Sequence, residues 1–419
     1  MVQTIPLLHL LRMKNSISFD NTEIAFAYKS NDALKQAHWL FNLMSKSWLV
    51  QLGTRLTPWA INAGLPIKGL IRKTLFRHFI GGETLEEIIP VAKRMGAYGV
   101  QAILDYGVEG KEGEAAFDHA RDEFIRVIRF AASQPNVPFM SVKVTGFARF
   151  GLLEKIDTLM HGAQSTYLIG KYTEALEKLD AGERAEWEKV VNRMHDIARA
   201  AQQSNVGFLV DAEETWIQEP VDALTMQMMA EFNREGLVIY NTLQLYRHDR
   251  LAFLKDSFEA AKEKGFFLGA KLVRGAYMEK ERERAAAKGY PSPIQPDKAS
   301  TDRDYDAAVR FCLEHIDRIG LIVASHNEGS NLLATQLLQQ KGLPLNQEHV
   351  HFSQLYGMSD HITYNLAHAG CNVSKYLPFG PIKDVVPYLM RRAQENTSVG
   401  GQTTRELVLI TKELKRRSN

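Results

Sequence analysis

From about residue 95 onward, short apolar runs alternate with stretches of helical period. The runs are YGVQAILDYG (98–107), FMSVKVTGF (139–147), GFLVDAEE (207–214), LVIYNTLQLY (237–246), FFLGAKLVRGAY (266–277), GLIVASHN (320–327), HVHFSQLYG (349–357) and CNVSKYLPFG (371–380). Most set β-branched and apolar residues on consecutive positions, the pattern of parallel strands buried on both faces. Helical patterns lie between them, such as ETLEEIIPVAKRMG before the first run and DYDAAVRFCLEHIDRIG before the sixth. Eight strands separated by helices predict an α/β fold of the (β/α)8 TIM-barrel type. An open doubly wound sheet is the competing arrangement. It would normally carry a phosphate-binding glycine loop, and neither GxGxxG nor GxxxxGKS/T occurs.

The barrel is expected over residues 83–400, after an N-terminal helical region, 1–82, and before a C-terminal amphipathic helix, 401–419. The long connection between the second and third strands, about 148–206, reads as a helical insertion on the barrel. A chain of 419 residues suits one large barrel with extra helices. The only two cysteines, Cys312 and Cys371, sit inside apolar patterns, which suits buried thiols in a reducing compartment better than a disulfide framework or a zinc site. A formal net charge of +2 gives no preference for nucleic acid. No segment approaches the roughly 18 continuous apolar residues of a transmembrane helix. The opening MVQTIPLLHLLRMKNS has only a short apolar run and lacks the basic leader of a signal peptide.

One local imbalance changes the picture. Between Asp32 and Glu83 there is no acid, while Lys35, Lys46, Arg55, Lys68, Arg72, Lys73 and Arg77 all fall there, with Trp39, Trp48 and Trp59. Two readings stand: a helical layer packed on the barrel with a solvated basic face, or a peripheral contact with an anionic membrane surface.

The ends of the eight runs carry the candidate chemistry. Their C-terminal halves hold Asp105, Lys143, Asp211, Gln244, Lys271 with Arg274, His326, Gln354 and Tyr376. In a barrel that end of the strands is the active-site face, and charges pointing inward there are costly without a partner or ligand. His349 and His351 share one face of a strand, but no HExxH or Cys/His spacing accompanies them, so no metal is expected. What remains is a cation-rich mouth of Lys143, Lys271, Arg274, Arg391 and Arg392, with Asp211, Glu213, Glu114 and Glu395 to balance it. Such a mouth suits an anionic substrate, an anionic cofactor, or both. Gly275-Ala276 offers a corner where backbone can approach a ligand closely, and Ser300-Thr301-Asp302 can cap a helix or offer hydroxyls to a phosphate. The adjacent pair Arg391-Arg392 reads either as a solvated helix face paired with Glu395 or as a fork for a carboxylate.

KLVRGAY (271–277), DAEE (211–214), HNEGS (326–330), LYGM (355–358), YLPFGP (376–381) and PYLMRRAQENTS (387–398) together resemble the proline dehydrogenase family, from about Gly82 to Val399. The resemblance is to the monofunctional form. It implies an FAD-bearing distorted (β/α)8 barrel that oxidises L-proline to Δ1-pyrroline-5-carboxylate and passes electrons to a membrane quinone. It further implies that Arg391 and Arg392 hold the proline carboxylate with Lys143 beside it, and that Tyr376 and Leu355 pack on the pyrrolidine ring. Glu114 would pair with Arg392 when the site closes. Asp211 and Lys271 carry the catalytic positions. Ala212, Gln244, Lys271, Val273, Arg274, Gly275, Ala276, Thr301, Ser325, His326 and Glu395 fall on flavin-binding positions.

Two departures stand out. Lys271 occupies a position where many bacterial members have arginine, which gives a point charge without the planar fork. Met278 replaces an aromatic found in some relatives. Within the same class, hydroxyproline dehydrogenase is the alternative, although the bulk and hydroxyl of Tyr376 favour the unsubstituted ring. A non-catalytic flavin- or proline-binding sensor is the alternative from another class. The compartment implied is cytoplasmic or peripheral at the inner membrane in a bacterium, and mitochondrial in a eukaryote.

Overall fold

A computed structural model describes residues 17–46, 48, 68–107, 112–398 and 402–419; the side chains at 68, 70, 73, 393–398, 402 and 403 lie outside that description. Two helices come first among the described residues, α1 (Thr22–Phe26) and α2 (Asn31–Met44). A helical segment with a π turn at Arg72–Phe76 follows, then α3 (Leu85–Gly96) and β1 (Gln101–Tyr106). Next come α4 (Glu114–Ala132) and β2 (Phe139–Val142). Three helices, α5 (Phe150–His161), α6 (Leu168–Glu177) and α7 (Ala181–Ser204), lead to β3 (Gly207–Val210). The alternation continues with α8 (Thr215–Phe232), β4 (Ile239–Gln244), α9 (Arg250–Lys264) and β5 (Leu268–Val273). After α10 (Met278–Lys288) and α11 (Lys298–Glu314) come β6 (Ile319–Ala324), α12 (Glu328–Gln340) and β7 (Val350–Leu355). The chain closes with α13 (Asp360–His368), β8 (Val373–Phe379), α14 (Ile382–Ser398) and α15 (Gln402–Ser418).

The eight strands pair in sequence order, all parallel, and β8 pairs with β1 to close the barrel. Each of the eight apolar runs yields one strand. Some strands are shorter than their runs: β2 stops at Val142 and turns into a short 3-10 helix at Val144–Gly146, and β3 stops at Val210. Lys143 and Asp211 therefore stand just beyond their strands, on the rim. Asp211 still keeps the ladder, its N–H donating to Val142 O at 2.8 Å.

Parallel strands in a closed barrel have no wet face, so every residue of β4 and β8 is buried. One set of side chains, including Ile103, Leu209, Tyr240, Ile322 and Tyr376, fills the barrel interior. The opposite set packs outward against helices, as with Leu85, Ile88, Ala92 and Met95 on α3, spaced for one helical face. Of the helices between β2 and β3, α7 packs against α4 and β3, while α5 and α6 form a pair seated on α8. The start of α7 is fixed locally by a capping box between Asp180 and Glu183.

Gly269 shows how tight the wall is. A Cβ there would stand 2.1 Å from the Ile239 carbonyl oxygen and 2.8 Å from Tyr240 Cα. Both are backbone of the neighbouring strand and cannot swing away. Gly269→Ala is expected to destabilise the barrel by about 3 kcal/mol, read as a lower urea midpoint with unchanged m-value.

The first described helices and the last one meet. Helix α15 packs on α1 and α2, and α1 packs on α13. Arg417 donates to Lys29 O and Phe26 O, each at 2.8 Å, tying the C-terminal helix to the turn after α1, where Phe26 O also accepts the Lys29 N–H at 2.9 Å. Helix α2 buries Leu34, Ala37, Leu40, Phe41 and Met44, and leaves Trp39 54% exposed. Trp48 is 63% exposed. Arg55 and Trp59 lie outside the described residues. Among the described residues no helix is long and apolar enough to cross a membrane.

Candidate active site

Strand ends converge on one cavity of about 600 Å3 at the C-terminal face of the barrel. Asp211 is at its floor. Its carboxylate accepts a hydrogen bond from Ser141 Oγ at 2.6 Å, another from the Tyr376 hydroxyl at 2.6 Å, and a third from Lys271. Lys143 stands 3.6 Å from Asp211 and 3.8 Å from Asp105. Burial alone would push the Asp211 carboxyl upward. The Lys271 and Lys143 charges, with the Lys271 and Ser141 hydrogen bonds, reverse that and hold it well below the usual carboxylate range. The Tyr376 hydroxyl is driven the other way by burial and by the Asp105 and Asp211 charges, so it stays a donor. The Lys271 ammonium also lies 5.2 Å from the Tyr376 ring centre.

The turn that carries Lys143 is pinned from β3. Glu213 accepts from Thr145 Oγ1 at 2.6 Å and from Thr145 N at 3.3 Å. Burial pushes its carboxyl up to about 7, against the pull of those bonds and of Lys143. The Glu213 carbonyl in turn accepts from Gln244 Nε2 at 2.7 Å, and Gln244 Oε1 accepts from Ala276 N at 3.3 Å. Gln244 thus ties the end of β3 to the corner after β5. At that corner Gly275 has φ +139°, and a Cβ would press to 2.5 Å from the Tyr246 ring.

Arg274, next to that corner, is directed rather than loose. It donates to Ser325 Oγ at 2.7 Å, Ser330 Oγ at 3.0 Å and Asp302 at 2.8 Å, and its guanidinium stacks 4.4 Å from the Tyr305 ring centre. His326 faces Ser359 Oγ through Nδ1 at 2.9 Å. Burial, then the nearby Lys375 and Arg392 charges, push its pKa well below the ordinary histidine value, so it serves as a neutral ring.

The cavity gathers most of the sequence-derived candidates: Asp211, Ala212, Lys143, Gln244, Lys271, Val273, Arg274, Gly275, Ala276, Ser325, His326, Leu355, Tyr376, Arg391 and Arg392 all line it. Of the residues to which the family resemblance gives a role, two described ones stand apart from that lining. Glu114 engages Arg193 at 2.6 Å and Lys189 at 3.3 Å on α7. Thr301 turns its hydroxyl to Asp297 O of its own helix at 3.3 Å, while Asp297 caps that helix by accepting from Ser300 N at 2.7 Å. The side chain of Glu395 lies outside the described residues.

Sequence reasoning missed Tyr277, Met358, Ser359, Arg405 and Glu406, which also line the cavity. Tyr277 and Met358 were visible as the ends of KLVRGAY and LYGM. Arg405 and Glu406 come from α15 and carried no local signal.

The arrangement belongs with known proteins. A family model described as "Proline dehydrogenase" matches residues 88–405, most of the chain and all eight strands. The chain belongs to the proline dehydrogenase family. It is 34% identical over 381 residues to "Proline dehydrogenase 1, mitochondrial" of Dictyostelium discoideum, covering 84% of this chain and 66% of that one. It is 35% identical over 385 residues to "Hydroxyproline dehydrogenase" of Xenopus laevis, covering 87% and 80%. Among solved structures it resembles proline utilization A (PutA) from Bdellovibrio bacteriovorus inactivated by N-propargylglycine, with a TM-score of 0.68 at 20% identity, over 94% of this chain and 40% of that one. The chain thus spans about two thirds of the Dictyostelium protein and two fifths of the PutA chain. At that identity the PutA likeness speaks to the barrel alone.

Proposed function

We propose that this protein oxidises L-proline to Δ1-pyrroline-5-carboxylate with FAD as cofactor and a quinone as electron acceptor. The observation that carries the reading is the convergence of Arg391, Arg392 and Lys143 with Tyr376 and Leu355 around one cavity. The cations match a small carboxylate, and the tyrosine and leucine match a saturated ring beside it.

The residues present fit an anionic cofactor as well. Seven cations line the cavity (Lys143, Lys271, Lys298, Arg274, Arg391, Arg392, Arg405) against four acids (Asp105, Asp211, Glu328, Glu406), an excess of three positive charges. A pyrophosphate and one carboxylate together supply about three negative charges, which that excess would hold. FAD would be held by Gln244, Arg274, the Gly275-Ala276 backbone, Ser325 and His326, with Lys271 supplying positive charge, and would accept the hydride of the reaction. Thr301 and Glu395 complete the flavin positions implied by the family. The chain's own part is to bind the carboxylate at the arginines, orient the ring between Tyr376 and Leu355, and keep Asp211 ionised beside Lys271. Glu114 would join Arg392 only on closure of the site, after leaving Arg193.

Exposed Trp39 and Trp48, with Lys35 and Lys46 near them, favour a peripheral membrane contact by which a hydrophobic quinone reaches the site. The test of the reaction is anaerobic absorbance of the flavin-loaded protein during titration with L-proline, and with trans-4-hydroxy-L-proline in parallel. Bleaching by proline at lower concentration is expected. Preferential bleaching by hydroxyproline would move the assignment to the other named relative. No bleaching by either would leave a family fold without this activity.

A further inference from the structure

The segment from Leu355, the last residue of β7, to Ser359 presents Leu355, Met358 and Ser359 to the cavity, and of the groups that hold it, Lys375 and His78 lie outside the lining while Glu406 belongs to it. Lys375 Nζ donates to Leu355 O at 3.4 Å and to Met358 O. His78 Nε2 lies 2.8 Å from Gly357 O. Glu406 accepts the Ser359 N–H. The loop is bent as well as held: Gly357 has φ +80° and Ser359 φ +51°, and a Cβ on Gly357 would stand 2.3 Å from His78 O. A non-glycine residue in the left-handed region persists where surroundings over-determine it.

Behind this loop lies a buried cluster that the proposed chemistry does not use. Asp360 pairs with Lys375 at 2.9 Å through one oxygen. Its other oxygen takes Lys29 Nζ at 2.9 Å and the Tyr28 hydroxyl at 2.7 Å. Lys375 is 1% exposed and Asp360 2%. Tyr28 stacks on Tyr364 with ring centres 4.2 Å apart. Three charges in so dry a place are expensive unless the geometry answers all of them. Here one carboxylate is ion-paired with two ammoniums, and the hydrogen bonds Lys375 donates go to the loop carbonyls. Lys29 and Tyr28 come from the turn just after α1, more than 330 positions away along the chain.

We infer that Asp360 is the positioning residue of a latch, clasped by Lys29 and Tyr28 from the N-terminal segment and by Lys375 from β8, that sets Leu355 against the substrate ring and Ser359 against His326. None of the four latch residues lines the cavity, so the effect runs through the loop. The inference rests on the proline reading for its substrate.

The test uses the full-length, flavin-loaded protein and the variants Lys29→Met, Tyr28→Phe and Lys29→Arg. Two readouts apply: hydrogen exchange of the amides from Gly357 to Asp360, taken without ligand, and equilibrium affinity for tetrahydro-2-furoate, the ring-oxygen analogue of proline. Lys29→Met is expected to raise exchange there and weaken the analogue about tenfold, the scale of one charge-assisted hydrogen bond, with KM for proline rising in parallel and kcat within about twofold. Tyr28→Phe, which removes only a hydroxyl, should do the same to a smaller degree. Lys29→Arg should restore both. Unchanged affinity and KM would overturn the latch, whether exchange rises, as for a purely structural contact, or stays the same. Because exchange is read without substrate, loss of the proline reading alone would show as wild-type protein that neither binds the analogue nor is bleached, with the exchange difference intact.

Discussion

Replacing Arg392 by alanine is expected to lower kcat/KM for L-proline by about 100- to 1,000-fold, or ~3–4 kcal/mol of binding to the reacting substrate. Arg392 is 6% exposed, and its guanidinium lies 5.1 Å from the Tyr388 ring centre, so it is held on a ring face and cannot spread into solvent. Adjacent helical residues point about 100° apart, yet Arg391 and Arg392 both reach the same cavity. That is possible because α14 presents a broad sector to the cavity, and it is why two neighbouring cations can flank one carboxylate. Arg391→Ala should lose a comparable factor. The discriminating comparison is prolinamide, which keeps the ring and lacks the carboxylate. Wild-type protein should prefer proline strongly, and the alanine variants should lose that preference while retaining flavin. Equal preference in wild type and variants would sink the carboxylate fork.

The strands were legible because parallel-barrel strands need both faces apolar, and a run such as GLIVASHN can satisfy that in no half-wet position. The rim was legible because a polar residue at a buried strand end has to serve something, and Lys143, Asp211, Lys271 and Tyr376 do meet. Partnerships across the chain were not legible. Glu114 carries no mark of its engagement with Arg193 and Lys189, because helices α4 and α7 are brought together only by tertiary packing. Glu213 could be counted as an acid, but not as the clamp on Thr145, which depends on where β2 breaks. Thr301 shows the limit from the other side. Its sequence neighbourhood suits both a cap and a phosphate, and the position of Asp297 as the cap turns the Thr301 hydroxyl back on its own helix. The meeting of Lys29 with Asp360, and of Arg405 with Asp20 and Glu328, had no periodic signature at all.

Lys271→Met is expected to have the second large effect, on stability and activity together. Methionine keeps the length and apolar body of lysine, so the wall of β5 stays filled, but Asp211 loses its nearest cation. Removing one partner from a buried ion pair costs about 3–5 kcal/mol, because the remaining charge stays dry. Lys143, at 3.6 Å, offsets only part of this. The effect should depend on pH in a defined sense. In the wild type the Asp211 carboxyl is held well below its unfolded value, so its ionised form contributes stability above pH ~4, and the contribution fades as pH falls toward the folded pKa. In the variant the depression weakens and burial pushes the carboxyl upward. The unfolded chain is common to both, so the gap changes between the two folded-state values: it should be widest near neutrality and narrow as pH falls through the variant's higher folded value toward the depressed wild-type one. Urea midpoints measured between pH 3 and 7 would show it. Asp211→Asn combined with Lys271→Met should recover part of the lost stability, since no bare carboxylate remains at residue 211 and Lys143 keeps Asp105, while proline oxidation stays low. A pH-independent gap, or full activity in Lys271→Met, would mean that Asp211 does not depend on Lys271 for its charge.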